Sequence, residues 1–118
     1  MTMATFKKYE NQVTKQVPVA SVPSGGLKVG DLFNYTPASK AIAKITKASE
    51  VATALGSGLE VYLVAQGDMI TYNEATGYKE YKVSDTVSAG SNKIVVAYPV
   101  LNATNIDGFA AESNGGGA

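Results

Sequence analysis

The chain reads as a mainly β domain, a small compact barrel or sandwich with one short helix, and three observations predict it. About six short runs rich in Val, Ile, Tyr and Thr are separated by turns of Gly, Asn, Ser and Pro. Apolar residues recur mostly at a period of two, and only Ala41 to Leu55 carries a helical spacing. A length of 118 residues with 45% hydrophobic content gives room for one core and no second domain.

Residues 1–26 read as an extended N-terminal arm. Pro18, Pro23 and Gly25-Gly26 interrupt any regular pattern, and Val13, Val17, Val19 and Val22 are scattered along it. Such a segment buries little of itself, so it is either disordered or laid along another surface; these four valines are the candidate residues for laying it along a partner by strand addition, and the alternative is a floppy terminus with an incidental β-edge pairing. The compact β domain is expected over 27–109. It opens with Leu27 and Val29, a Gly30-Asp31 turn, and a strand alternating through Phe33 and Tyr35. Pro37 to Lys40 turns the chain.

Ala41 to Leu55 admits two readings. Ala41, Ile45, Ala48, Ala52 and Leu55 have the spacing of a single helix that Gly56 would stop, whereas Ile42, Ile45 and Thr46 favour a strand over the first half. We take strand followed by short helix, with Ser49 capping the helix and Glu50 in its first turn, near the positive end of the dipole.

The densest apolar segment, Leu59 to Tyr72, is a central strand with a break at Gly67-Asp68. Leu59, Val61, Leu63 and Ala65 share one face and Glu60, Tyr62, Val64 and Gln66 the other, so the strand needs neighbours on both sides. Asn73 to Tyr78 is a loop and Lys79 to Ala89 a further strand, with Asp85 at a bulge or strand end. In Lys93 to Val100, the inward row is expected to be Ile94, Val96, Tyr98 and Val100, and Pro99 ends the strand or places it at an edge. Residues 110–118, with Gly115-Gly116-Gly117, have the composition of a flexible C-terminal tail.

The chemistry is mostly exclusion. No Cys and no His are present, which removes disulfides, thiolate nucleophiles, imidazole bases and the usual zinc sites. Ten basic residues, all Lys, balance ten acidic ones, so the Arg fork suited to phosphates and base edges is missing and nucleic acid is not expected as a partner. No membrane span or leader stands out, and no cofactor or metal is expected. Asp31, Glu60, Asp68, Glu74 and Asp85 could in principle supply a carboxylate pair, Glu60 with Asp68 first. Ser39-Lys40 is a weaker nucleophile-base candidate, and Asp107-Gly108 a weak calcium turn. Single acids at turns are the ordinary content of a β domain, so the expectation is a protein that is not an enzyme. Six of the seven tyrosines, Tyr35 to Tyr98, lie in or beside expected strands, which leaves a small carbohydrate- or peptide-binding module as the alternative.

From Gly26-Leu27-Lys28-Val29-Gly30-Asp31-Leu32-Phe33, through Glu60 to Asp68, to Val95-Val96-Ala97-Tyr98-Pro99-Val100, the chain resembles small tailed-phage head proteins, the decoration proteins and the capsid-anchoring domains of head fibres. The resemblance spans roughly residues 26–109 and lies in organisation: an arm, a compact β domain, balanced charge and no catalytic residues. It implies a non-enzymatic virion protein, made in the host cytoplasm and placed on the capsid exterior. There it would decorate or cement the shell by binding the major capsid protein through its arm. It also implies a homo-oligomer, a trimer being favoured, and carries over no catalytic residue. Unlike a head-fibre protein, the sequence does not continue into a fibre.

Overall fold

The structure, a computed structural model, describes residues 5–6, 13–72, 75, 80–102 and 106–107. Their regular elements are β1 (Thr5–Phe6), β2 (Lys15–Val22), β3 (Leu27–Lys28), β4 (Leu32–Thr36), β5 (Ala41–Ile45), α1 (Ala48–Gly56), β6 (Glu60–Gln66), β7 (Met69–Tyr72), β8 (Glu80–Val83), β9 (Thr86–Val87), β10 (Gly90–Pro99) and β11 (Ile106–Asp107). The fold is mainly β with one short helix, as the residue pattern predicts.

Five strands make one antiparallel sheet in the order β2-β10-β6-β4-β5. β6 lies at its centre because both of its faces are apolar: Tyr62 and Val64 enter one core, Val61 and Leu63 another. The sheet curls into a half-barrel. Between Val96 and Ala97 the β10–β6 register slips, leaving Ala65 unmatched, and an extra residue of this kind sharpens the local twist. The curl brings the two edge strands together, where the Ala20 N–H donates to the Lys40 carbonyl at 2.9 Å. The Tyr35 hydroxyl on β4 also donates to the Pro18 carbonyl on β2, at 2.6 Å.

Inside the curl, Val17, Val19, Val22, Leu27, Phe33, Tyr35, Tyr62, Val64, Val87, Val95 and Ala97 form the barrel core. On the outer face, Val51 and Ala54 of α1 cover Leu32, Ile45, Val61, Leu63 and Val100. One sheet thus separates two apolar layers.

The strand-then-helix reading of 41–55 holds, with different end residues. Lys47, in extended conformation, is the N-cap. The Glu50 carboxylate accepts from the Thr46 N–H at 2.8 Å and the Lys47 N–H at 3.2 Å, so the glutamate caps the helix and Ser49 lies inside it. At the other end, α1 runs through Gly56, and Gly58 takes the left-handed conformation at φ 82°. The Leu59 and Gly58 N–H groups then donate to the Ala54 and Leu55 carbonyls, the paired closure that a left-handed residue permits.

Three further expectations are corrected. The domain boundary does not fall at residue 26: β2 is extended, but it pairs with β10 from Lys15↔Ala97 to Val22↔Gly90 and belongs to the sheet. The buried row of β10 within the barrel is Val95 and Ala97, while Ile94 is 59% exposed; Tyr98 and Val100 reach the helix-side core instead. Alternation defines two rows on a strand but not which core each one meets. Finally, the run from Lys79 to Ala89 is two strands, β8 and β9, broken at Ser84-Asp85, which lets Val83 stay exposed while Val87 is buried. The expected tail at 110–118 lies outside the described residues.

Candidate functional site

The break after β6 is where the chain leaves the barrel. Gly67 and Asp68 cross Ser84 to Thr86 at very short range: the Gly67 N–H donates to the Ser84 carbonyl at 3.0 Å, the Asp68 N–H to the Thr86 carbonyl at 2.9 Å, and the Ser84 N–H to the Asp68 carbonyl at 2.8 Å. A methyl group at Gly67 would stand 2.4 Å from the Thr86 nitrogen and 2.6 Å from the Ser84 oxygen, so only glycine permits the crossing. The Asp68 carboxylate then ties the crossing to the barrel. Its Oδ2 accepts from the Ser88 hydroxyl at 2.6 Å and the Ser88 N–H at 3.0 Å. Lys93 Nζ lies 3.8 Å away and donates to the Ser88 hydroxyl oxygen at 2.9 Å. The hydrogen bonds from Ser88, then the charge of Lys93, hold this carboxyl below the ordinary aspartate range.

Beyond this clasp, β7 and β8 form a two-stranded ribbon with Met69 opposite Val83, Ile70 opposite Lys82, Thr71 opposite Tyr81 and Tyr72 opposite Glu80. Among the described residues no third strand joins it. Met69 is 60% exposed, Val83 44% and Ile70 42%, half of the six large apolar side chains left exposed among the described residues. At the foot of the ribbon an open groove of about 390 Å³ is lined by Lys28, Val29, Ala65, Gln66, Val83 and Asp85. The exposed apolar side chains of the ribbon and the open groove thus lie together at one end of the molecule.

At the opposite end of the barrel lies a second ribbon. β2 and β6 are both antiparallel to β10 and so run the same way; β1 precedes the start of β2, whereas β7 follows the end of β6. β1 pairs with β11 through Thr5↔Asp107 and Phe6↔Ile106, in the same register as Lys15↔Ala97 and the rest of the β2–β10 ladder. At this end Lys15 Nζ sits 5.9 Å from the centroid of the Tyr62 ring, and the Tyr62 hydroxyl donates to a Glu60 carboxylate oxygen at 2.5 Å. Burial first, and that bond second, push the phenol above its ordinary range.

The candidate residues from sequence are dispersed by the fold. Val17, Val19 and Val22 are buried in this chain's own core, so their side chains do not face a partner; Val13 is exposed. Glu60 and Asp68 stand at opposite ends of the central strand, roughly 25 Å apart along extended chain. The Asp31 carboxylate accepts from the Lys28 N–H at 2.8 Å and pairs with Lys44 at 3.6 Å. Asp85 accepts from the Thr86 hydroxyl at 3.0 Å. Ser39 and Lys40 lie in the β4–β5 turn, where Lys40 adopts φ 61°. Glu74 and Gly108 lie outside the described residues, and among those described no group of three or more acidic residues could hold a metal ion. Two of the six tyrosines in or beside the expected strands, Tyr35 and Tyr62, are core residues, Tyr62 tilted on Phe33 at 5.6 Å and edge-on to Tyr35 at 5.9 Å.

Sequence reading recognised Gly67-Asp68 as a break but not as a clasp. Ser88 and Lys93 are 20 and 25 residues from Asp68, and only folding shows that they meet. No helix among the described residues is long and apolar enough to cross a membrane. No protein family, characterised protein or solved structure matches this chain.

Proposed function

We propose that the chain is a non-enzymatic structural protein of a phage virion, decorating or cementing the outer surface of the capsid. The observation that carries this reading is the bipolar layout, a double-layered barrel with a two-stranded ribbon attached at each end. Two-stranded ribbons are marginal alone in water and gain from added strands, so a body with one at each end is suited to bridging neighbours. In this reading the end bearing β1 and β11 meets the shell, in place of the valines that the barrel consumes, and the β7–β8 end meets other copies.

The test is saturation binding of the purified protein to heads of the source phage stripped of it, with copies per shell counted by quantitative mass spectrometry. The expected result is a plateau at a number compatible with the shell's symmetry, lost when residues 1–12 are removed and β2 is kept. Removing 1–24 would be uninformative, because it takes three core valines with it. A folded sample that does not bind would overturn the reading and bring forward the peptide- or sugar-binding alternative, read out on an array.

A further inference from the structure

We infer that the β7–β8 ribbon is a two-fold self-association surface, in which β8 of one copy pairs antiparallel with β8 of a second copy and the two ribbons merge into one four-stranded sheet. Three observations carry it. The ribbon ends at two strands among the described residues, which leaves an outer backbone edge on β8 to be paired. It also concentrates exposed apolar surface, with Met69 and Val83 directly opposite each other and Ile70 on the other face; sheets of three or more strands stabilise such a face where a lone hairpin does not.

The third observation selects the occupant. β8 reads Glu80-Tyr81-Lys82-Val83. If two copies of this strand pair antiparallel about Tyr81, position 80 of each stands opposite position 82 of the other, so an acid faces a base twice across the two-fold axis. Moving the axis by half a residue loses both matches, and a parallel pairing in register sets like charges side by side. Opposite charges directly across a ladder stabilise it and like charges oppose it. The edge is therefore complementary to a second copy of itself in one register, as an isologous contact requires.

This inference rests on the self-association in the reading above and not on shell binding, so it is tested on the purified full-length protein alone. Sedimentation equilibrium should show a monomer–dimer equilibrium. Lys82→Glu should weaken the dimer about tenfold or more, and Glu80→Lys likewise, because each substitution turns two attractions into two repulsions. The double variant Glu80→Lys/Lys82→Glu should restore it, a rescue that a misfolded protein would not give. The chain has no cysteine, so Tyr81→Cys gives a single thiol at the proposed axis, where the two Cα atoms would be about 4.5–5.5 Å apart, within disulfide range. It should cross-link on mild oxidation much faster than Ile70→Cys. A monomer at high concentration, a three-fold mass, equal cross-linking of the two cysteine variants, or failure of the double variant to recover would each overturn the inference. Loss of head binding with dimerisation intact would leave it standing.

Discussion

At the scale of single residues, two glycines of the same type are expected to respond with opposite sign. Gly67→Ala drives a methyl group into backbone atoms of Thr86 and Ser84 at 2.4–2.6 Å, and backbone cannot give way as a side-chain tip would. Its expected cost is roughly 2–4 kcal/mol. Gly56, the last residue of α1, has nothing within 4 Å of the same position. Gly56→Ala should therefore stabilise by a few tenths to about 1 kcal/mol through the unfolded chain. Urea midpoints of the two variants check both; a Gly67→Ala midpoint equal to that of the parent would show that the crossing is looser than described.

Asp68 gives the residue scale its pH dependence. Its folded-state pKa lies below the unfolded value of about 3.9. The clasp's contribution is thus fully present above roughly pH 4 and is lost as pH falls through the folded pKa. Ser88→Ala removes the larger cause of the shift, so the acid limb of its stability profile below about pH 4 should be shallower than that of the parent. Parallel acid limbs in the two proteins would show that the Ser88 bonds are not coupled to the carboxylate's charge.

At the scale of elements, β2 shows why local pattern misleads. Its proline and scattered valines look like an arm, yet Val17 and Val19 follow strict alternation into the barrel, and Pro18 is tolerated on the side where its missing N–H would face the other edge of the sheet. Val19→Ala, at 1% exposure, should cost about 2 kcal/mol, whereas Val13→Ala, at 70%, should change stability little. Thermal or urea unfolding distinguishes the two, and a silent Val19→Ala would return β2 to the status of an arm. The same element scale explains the helix ends. Glu50 and Gly58 are the capping residues because one can accept from two amides and the other can adopt φ 82°, whereas Ser49 and Gly56 only resembled caps by type.

At the scale of the whole molecule, the five-stranded sheet is shared by both cores, since β4, β5, β6 and β10 each send one row to the barrel and another to the helix. Neither layer can open without exposing the other's backing. The protein should therefore unfold in a single transition, lowered together by Val51→Ala on the helix side and Val95→Ala in the barrel, each by about 2 kcal/mol. Calorimetric and van't Hoff enthalpies that agree would bear this out, and an early melting step confined to helix signal in Val51→Ala would contradict it.

Residue pattern by itself determined the mainly β class, the single short helix after a strand, the double-faced character of β6 and the break at Gly67-Asp68. These follow from period-two alternation, from glycine's freedom and from proline's missing donor, all of which act over a few residues. Tertiary structure alone decided that β2 belongs to the barrel, that β10 buries Val95 and Ala97 rather than Ile94, that Asp68 meets Ser88 and Lys93, and that the two ribbons sit at opposite ends. Each of those depends on which distant strands pair and how far the sheet curls. Pairing is settled by the summed burial of two cores, a quantity that no local stretch of sequence contains.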